Sequence, residues 1–214
     1  MKIGLCFDAH YGWKESQAPP VSQVFKELDV DTLIFGGDTI ELWRRKIDDV
    51  IKENKESLKE MVQRNSVLIK GNHDFILGEV LNVDMPEAVY IDDFIIFHGY
   101  HVEVLSSSTI FTCEGYEEIA RKLCYTNNSI GRFLSILWKG YIELFKSGSN
   151  REDRSFKEMI EFVETLAEIT NTKMLFGHFH REYISDNVCC LDSLSNGVAY
   201  ILDVDEGDLE KVKF

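Results

Sequence analysis

Five short apolar runs in this chain each end in a cluster of Asp, His or Asn side chains, and this recurrence constrains the fold more than any other feature. The clusters are Asp8-Ala9-His10, Gly36-Gly37-Asp38, Gly71-Asn72-His73-Asp74, His98-Gly99 and Gly177-His178-Phe179-His180. The first three apolar runs alternate with segments of helical periodicity, which indicates βαβ units and a parallel core sheet. Because sites in such sheets lie beyond the carboxyl ends of the strands, we expect the five clusters to converge in space.

The apolar runs predict strands, and segments with a 3.6-residue period predict helices. The expected strands are Lys2 to Phe7, Thr32 to Phe35, Ser66 to Lys70, Ala88 to Ile91, Phe94 to Phe97, Lys173 to Phe176, Val188 to Leu191, Val198 to Val204 and Leu209 to Lys213. The expected helices are Val21 to Leu28, Lys46 to Arg64, Ile76 to Asn82, and a long region from about Glu114 to Thr170 that breaks around residues 147–150. The acidic segments Asp92-Asp93 and Asp205 to Asp208 predict hairpin turns.

Composition indicates one globular domain. The chain has 214 residues, of which 44% are hydrophobic and 28% are charged. We therefore expect a single domain over residues 1–214, with a helical insertion at about residues 114–170. The 23 Lys and Arg residues are outnumbered by 37 Asp and Glu residues, which gives a formal net charge of -14. Such an acidic surface repels a phosphate backbone, so we expect no nucleic-acid partner.

Cysteine usage and hydropathy predict a cytoplasmic protein. The five Cys residues are an odd number without Cys-x-x-Cys spacing, which is typical of a reducing compartment. We expect most of the cysteines to be small buried hydrophobic residues, and we interpret the adjacent pair Cys189-Cys190 as structural. The first apolar run stops at Asp8 and no stretch approaches about 18 consecutive apolar residues, so the sequence predicts neither a signal peptide nor a membrane span.

The pooled side chains of the five clusters are typical of a site for first-row divalent metal ions. They comprise two carboxylates, one amide oxygen and four imidazoles besides His73, a mixed oxygen and nitrogen set that suits such ions. Seven ligands are too many for one tetrahedral site but divide over two sites that share a carboxylate. We expect two divalent ions, with Mn as the first choice and Fe, Zn, Co and Ni as alternatives. Two ions about 3.5 to 4 Å apart can clamp a displacement at phosphorus and lower the pKa of a bridging water.

In this order, the five blocks resemble the motifs of the calcineurin-like metallophosphoesterase superfamily, over residues 8 to 180. The resemblance implies an α/β fold, a four-layer αββα sandwich. It also implies that Asp8, His10, Asp38 and His180 hold one ion, while Asp38, Asn72, His98 and His178 hold the other. Asp38 then bridges the two ions, and a hydroxide between them attacks the phosphorus. His73, paired with Asp74, is by the same resemblance a catalytic group that stabilises the phosphoryl transition state or protonates the leaving oxygen.

A narrower resemblance concerns Gly37-Asp38-Thr39-Ile40-Glu41-Leu42-Trp43, Gly71-Asn72-His73-Asp74-Phe75 and the helical insertion between His98 and His178. It is similar to the branch containing UDP-2,3-diacylglucosamine hydrolases, which cleave the pyrophosphate of a nucleotide-linked acylated sugar under a helical cap. This implies a small phosphorylated substrate, either nucleotide-linked or lipidic. In the insertion, an apolar stripe from Ile130 to Phe145 carries Arg132, Lys139 and Lys146. The stripe packs on the core or a dimer partner, covers an apolar substrate, or makes a peripheral contact with the inner membrane face.

Several assignments stay open at this stage. Arg44, Arg45 and His101 are candidate substrate contacts, although surface charge pairing is the more common role for the two arginines. Glu41 either orients a ligand or is a solvated residue at the start of a helix. For the whole chain, the sequence predicts a metal-dependent hydrolase of phosphoester or pyrophosphate bonds. The alternatives are a general phosphodiesterase or phosphatase, and a non-catalytic scaffold with the same fold.

Overall fold

Two five-stranded β-sheets form the centre of the computed structural model, which describes residues 1–106, 112–125 and 149–214, with side chains in the last range from residue 156 onward. The strands of the first sheet are β1 (Lys2–Cys6), β2 (Thr32–Phe35), β3 (Val67–Leu68), β9 (Val198–Asp203) and β10 (Asp208–Lys213). The strands of the second sheet are β4 (Ala88–Ile91), β5 (Phe94–Phe97), β6 (Lys173–Phe176), β7 (Tyr183–Ile184) and β8 (Val188–Cys190). Their spatial orders are β10-β9-β1-β2-β3 and β4-β5-β6-β8-β7.

The inner strands of each sheet run parallel. In the first sheet β1 pairs with β2 and β2 with β3 in parallel, and in the second sheet β5, β6 and β8 do the same. Antiparallel pairs stand at the edges, where β9 and β10 continue from β1, β4 pairs with β5, and β7 pairs with β8. The carboxyl ends of β1, β2 and β3 therefore lie at one edge of their sheet, and those of β5 and β6 lie at one edge of the other.

Helices cover both outer faces of the sheet pair. They are α1 (Val21–Leu28), α2 (Ile47–Glu53), α3 (Lys55–Gln63), α4 (Leu77–Leu81), α5 (Tyr100–Ser106), α6 (Cys113–Tyr125) and α7 (Ser149–Thr170), and a 3-10 helix spans Leu194–Asn196. Within the described ranges, no helix has the length and apolar content needed to cross a bilayer.

Side-chain alternation along the strands creates three apolar layers. In β2, Ile34 faces the second sheet, whereas Leu33 and Phe35 pack with helices α1 to α4 and α6. In β6, Leu175 faces the first sheet, whereas Met174 and Phe176 pack with α5 and α7. Because successive strand residues point to opposite faces, each sheet is covered on both sides. The predicted four-layer αββα sandwich is confirmed.

The expected single helix from Lys46 to Arg64 is wrong, because the chain forms α2 and α3 with Asn54 between them. The Asn54 side chain donates from Nδ2 to the Val50 carbonyl at 2.9 Å, so it caps α2 rather than continuing the helix. The strand expected over Ser66 to Lys70 is reduced to β3, and α5 and β7 have no counterpart among the expected elements.

Helices α6 and α7 occupy the two ends of the predicted insertion. The apolar stripe from Ile130 to Phe145 lies outside the described residues. All five cysteines are free thiols, and three of them, Cys6, Cys124 and Cys190, are buried.

Candidate metal centre

The predicted ligands converge where the two sheets meet. Asp8 follows β1, Asp38 follows β2 and Asn72 follows β3 in the first sheet, while His98 follows β5 and His178 and His180 follow β6 in the second. Asp8, Asp38, Asn72 and His98 are each at most 2% exposed. Backbone hydrogen bonds hold the loops together, since His10 N donates to Asp38 O at 2.9 Å and His178 N donates to Asp8 Oδ2 at 2.7 Å.

Among the described residues, four groups of side chains place their ligand atoms close enough to share an ion, and two of these groups contain six of the predicted ligands. Asp8, His10 and His180 form one group, and Asp38, His98 and His178 form the other, with the ligand atoms of each group within 4.8 Å of one another. These are the groups that the family resemblance separates into two ion sites. Asp38 also belongs to a third group with His10 and His73, so it stands between the two sets. Its Oδ2 lies 3.8 Å from His10 Nε2 and 3.5 Å from His98 Nε2.

The backbone adopts an unusual conformation at many of these positions. Asp8, His10, Asp38, His178 and His180 all have positive φ angles, between 46° and 73°. Left-handed backbone is uncommon for residues other than glycine and is concentrated at functional sites. The turn after each strand is therefore tight enough to aim consecutive side chains into one space.

Glycine beside the ligands allows the loops to approach this closely. A Cβ on Gly71 would lie 2.1 Å from Asp38 N and 2.3 Å from Asp38 Oδ1. A Cβ on Gly37, which has a φ of +94°, would lie 2.5 to 2.7 Å from three atoms of His98. A side chain at either position is sterically excluded unless Asp38 or His98 moves.

Buried polar atoms that lack a hydrogen-bond partner indicate that the described residues fit a divalent ion. Asn72 Oδ1 and His98 Nδ1 are buried and have no hydrogen-bond partner. A buried polar atom left unpaired costs about 1 to 3 kcal/mol, so such atoms normally have a purpose. Asn72 Oδ1 is an amide oxygen and His98 Nδ1 is an imidazole nitrogen, which are the atom types that first-row divalent ions bind.

Negative charge is concentrated in the centre. Burial by itself would raise the pKa of Asp38, but the charges of His98 and His73 outweigh it and hold that pKa well below the usual range. Burial opposes the charged form of His98, yet the carboxylates of Asp38 and Asp8 raise its pKa to about 10. Burial and the Asp38 charge raise the pKa of Asp74 to about 6. The centre thus contains buried carboxylates, and protonated histidine side chains offset their negative charge. Bound cations can offset the same charge equally well.

His73 is paired with Glu41 and not with Asp74 as the resemblance implied. His73 Nδ1 lies 2.9 and 3.0 Å from the two Glu41 carboxylate oxygens, and its ring stacks on Trp43 at 4.1 Å between centroids. Asp74 instead accepts backbone hydrogen bonds from Thr39 at 2.6 Å and Gly71 at 3.0 Å. It thereby joins the loop after β2 to the loop after β3. The reason is geometric: adjacent side chains on this tight turn point to different elements.

Glu41, whose role the sequence left open, is a fully buried hub of hydrogen bonds. Its Oε1 accepts from the backbone nitrogens of Trp43 and Arg44, and its Oε2 accepts from Arg44 Nη1 at 2.8 Å. The same Oε2 lies 3.4 Å from His10 Nδ1. Glu41 therefore orients both His73 and His10, and the signal for this role was its place three residues after Asp38 in the second block.

The three candidate substrate contacts have different surroundings. Arg44 is 37% exposed and lies over the Trp13 ring at 4.8 Å while it pairs with Glu41. Arg45 donates to both carboxylate oxygens of Glu53 and to the Gly12 carbonyl, so it is engaged in holding the loop.

His101 lies next to the centre and outside it. Its ring stacks on Tyr100 at 3.9 Å, and its Nε2 lies 3.1 Å from Glu117 Oε1. A contact that no sequence block predicted is the one between His178 Nε2 and Glu103 Oε2, at 2.8 Å.

Comparison with known proteins gives the family. The family described as Calcineurin-like phosphoesterase matches residues 1–182. The solved structures similar to the chain include Yfce, a phosphoesterase from E. coli, with a TM-score of 0.45 and 13% identity, covering 100% of this chain and 99% of that one. A Thermotoga maritima protein solved by NMR has a TM-score of 0.40 and 17% identity, covering 100% of this chain and 98% of that one. No curated protein sequence matches. With the family match covering most of its length, the chain belongs to the calcineurin-like phosphoesterase family.

Proposed function

We propose that this chain is a dinuclear metal-dependent phosphoesterase. The family binds divalent metals and hydrolyses phosphoester bonds. The observation that carries the proposal is the pair of ligand groups, Asp8 with His10 and His180, and Asp38 with His98 and His178, which lie side by side with Asp38 between them. Asn72 completes the second group through its unpaired amide oxygen. When bound, two such ions polarise phosphoryl oxygens and activate water for in-line attack.

His73 is the residue we propose to act on the reacting oxygen atoms. Because Nδ1 is held by Glu41, Nε2 is the nitrogen left to face a substrate. Burial opposes protonation of this ring, but the charges of Glu41 and Asp38 raise the pKa of His73 above its ordinary value. The imidazolium form can donate a proton to the leaving oxygen or stabilise negative charge on the phosphoryl group. Asp74 acts as a positioning residue through its two backbone contacts.

The substrate we propose is small and carries more than one phosphate, as in the pyrophosphate of a nucleotide-linked sugar. Arg44 retains donors beyond its contact with Glu41 and lies beside Trp13, which itself packs edge-on against His10 at 5.7 Å. A guanidinium and an indole next to an ion site favour a second phosphate and an apolar or aromatic group. Arg45 is committed to Glu53, so the phosphate contact is proposed for Arg44 alone. The net charge of -14 favours such a molecule over a nucleic-acid partner.

The test is a substrate panel after metal reconstitution. The purified chain is stripped of metal, loaded with Mn, Fe, Co, Ni or Zn, and assayed on p-nitrophenyl phosphate, bis-p-nitrophenyl phosphate, cyclic nucleotides and UDP-sugars with and without acyl chains. We expect hydrolysis only in the loaded state, with Mn best. Asp38→Asn and His73→Gln should each lose about 100-fold or more in kcat, the usual share of a positioned acid or ion site.

Exposed Glu118, which pairs with Lys122 on α6, provides a matched control. Glu118→Gln should keep wild-type rates. Unchanged activity in Asp38→Asn and His73→Gln would rule the proposal out, as would failure of the chain to bind any of the five metals. A fully loaded chain that cleaves no substrate would favour the non-catalytic scaffold, and cleavage of simple esters alone would favour a general phosphatase or phosphodiesterase.

A further inference from the structure

One candidate ligand histidine, His178, contacts a carboxylate that is carried by helix α5 and not by a loop at the end of a strand. His178 Nε2 lies 2.8 Å from Glu103 Oε2, and the His178 side chain is 13% exposed. An imidazole has two ring nitrogens, so engagement of Nε2 by Glu103 leaves Nδ1 as the nitrogen for an ion. A carboxylate behind a ligand histidine fixes the tautomer and ring orientation and raises the basicity of the ligating nitrogen.

Glu103 is held in place by the packing of its helix. It lies in the first turn of α5, between Val102, which is 5% exposed, and Val104, which is 7% exposed. Val102 packs in the same apolar cluster as Met159 and Val163 of α7. The carboxylate therefore stands on a rigid support, and its position relative to His178 is set by the α5 and α7 layer rather than by the loop that carries His178.

The two ion sites differ in the burial of their supporting carboxylates. Behind His10 stands Glu41, whose side chain is 0% exposed. Behind His178 stands Glu103, whose side chain is 50% exposed. The site of Asp38, His98 and His178 thus depends on a support that water can reach.

We propose that Glu103 is a positioning residue that sets the affinity of one of the two ions, the one held by Asp38, His98 and His178. The proposal rests on the dinuclear function proposed above. It assigns to α5 a role in metal loading: the helix presents the carboxylate that completes the second site. Loss of such an outer carboxylate typically costs 10- to 100-fold in metal affinity.

The experiment measures metal binding directly. Metal-free wild type, Glu103→Gln and Glu103→Ala are titrated with Mn²⁺ by calorimetry, and the bound Mn per chain is counted after dialysis against a fixed free Mn²⁺ concentration. We expect the variants to retain one ion with wild-type affinity and to bind the other 10- to 100-fold more weakly. Glu103→Gln, which keeps an oxygen to accept from His178, should lose less affinity than Glu103→Ala. Glu118→Gln serves as the control and should bind both ions as the wild type does.

Each outcome is distinct. Equal affinities in wild type and both Glu103 variants would overturn the proposal, because the contact would then be an ordinary surface pair. An equal loss at both sites would also overturn it, since Glu103 would then support the fold and not one ion. A wild-type chain that binds no second ion contradicts the dinuclear function itself and is recognised before any variant is compared.

Discussion

At the scale of single residues, several ligands of the candidate metal centre have a left-handed backbone conformation, which is energetically unfavourable. Each left-handed residue other than glycine costs on the order of 1 to 3 kcal/mol and persists only where its neighbours fix it. Here the fixing contacts join one strained turn to another: Asp8 N donates to Gly37 O, and His10 N to Asp38 O. The ligand positions are thus held before any ion arrives, which is the preorganisation that tight and selective metal binding requires.

Gly71→Ala tests this close packing. The added methyl group meets the Asp38 backbone and carboxylate at about 2 Å, so the loop after β3 must move away from the loop after β2. We expect a loss of about 1 to 3 kcal/mol in the free energy of unfolding, typical of overpacking, together with loss of the second ion. Gly115→Ala in α6 is the control, since its nearest neighbour, Thr112 Oγ1, is 3.3 Å away. That variant should be neutral or slightly stabilising, because alanine favours a helix. Equal behaviour of the two variants in chemical denaturation would refute the expectation.

Glu41→Gln tests the pairing of His73. The Glu41 charge helps to raise the pKa of His73, so its removal lowers that pKa and the imidazolium is lost at a lower pH. The alkaline limb of the kcat/KM profile should move to lower pH, and kcat should fall about 10- to 100-fold, part of the usual contribution of an acid catalyst. Glu53→Gln, which removes only the partner of Arg45, should leave the profile in place. An alkaline limb that does not move in Glu41→Gln would show that His73 is not the titrating acid.

The sequence was sufficient to predict which residues meet and insufficient to predict how they pair. Asp8, Asp38, Asn72, His98 and His178 could be foreseen because each directly follows an apolar strand, and parallel strands end at a common edge. The partner of His73 could not, because a choice between adjacent Asp74 and distant Glu41 depends on turn geometry that no spacing encodes. Nothing in the sequence pattern predicts the contact of Glu103 with His178, because it forms only when α5 packs on the second sheet.

At the scale of elements, α6 is part of the core. Its Ala120 is 0% exposed and Cys124 is 2% exposed. Cys124 Sγ donates to the His73 carbonyl at 3.5 Å, and Arg121 lies over the Phe75 ring at 5.2 Å. The first helix of the insertion therefore buttresses the loop that carries Asn72 and His73.

Deletion of residues 114–150 should consequently unfold or strongly destabilise the chain, by several kcal/mol, because it removes the buried side chains of Ala120 and Cys124 from the apolar core. Replacement of residues 126–148 by a Gly/Ser linker of equal length spares α6 and is the cleaner test of a substrate cap. If the segment is a cap, the replacement impairs hydrolysis of an acylated UDP-sugar more than that of p-nitrophenyl phosphate. Equal losses on both substrates, in a variant with an unchanged melting curve, would argue against the cap.

The elements whose boundaries match the sequence prediction are those with one clear hydrophobic period. α1, β2, β4, β5 and β6 begin and end at the expected residues, because each is a regular apolar pattern with Gly or Asp immediately on at least one side. α5 was missed because its buried residues, Tyr100, Val102 and Val104, alternate with polar ones. Alternation is the pattern of a strand, and only packing against α6 and α7 makes the segment helical.

At the scale of the whole molecule, an acidic protein places some of its carboxylates where they repel one another unless cations intervene. In the metal-free chain, protonated His98 is one internal cation beside these carboxylates. Its folded pKa of about 10 exceeds its ordinary value of 6.5. A raised pKa of this kind contributes stability that is fully present below pH 6.5 and is lost as the pH rises toward 10.

We therefore expect the melting temperature of the metal-free chain, measured in chelator, to fall by several degrees between about pH 7 and 10. Saturating Mn²⁺ should raise the melting temperature and flatten this dependence, because ions that bind only the folded state stabilise it by about 2.7 kcal/mol at 100 times the dissociation constant. The measurement is a set of calorimetric scans across this pH range with and without Mn²⁺. A metal-free melting temperature that is constant over the range would contradict the assignment of His98 as an internal cation.

The hydrogen bond from His178 to Asp8 joins residues 170 positions apart in the sequence. A ribosome adding roughly 5 to 20 residues per second completes Asp8 some tens of seconds or less before it completes His178 and His180. During that interval the early cluster of Asp8, His10 and Asp38 is exposed without its histidine counterparts and cannot form a closed coordination sphere. Metal loading of both ligand groups therefore follows the synthesis of residue 180, because neither group is complete before His178 and His180 have been added.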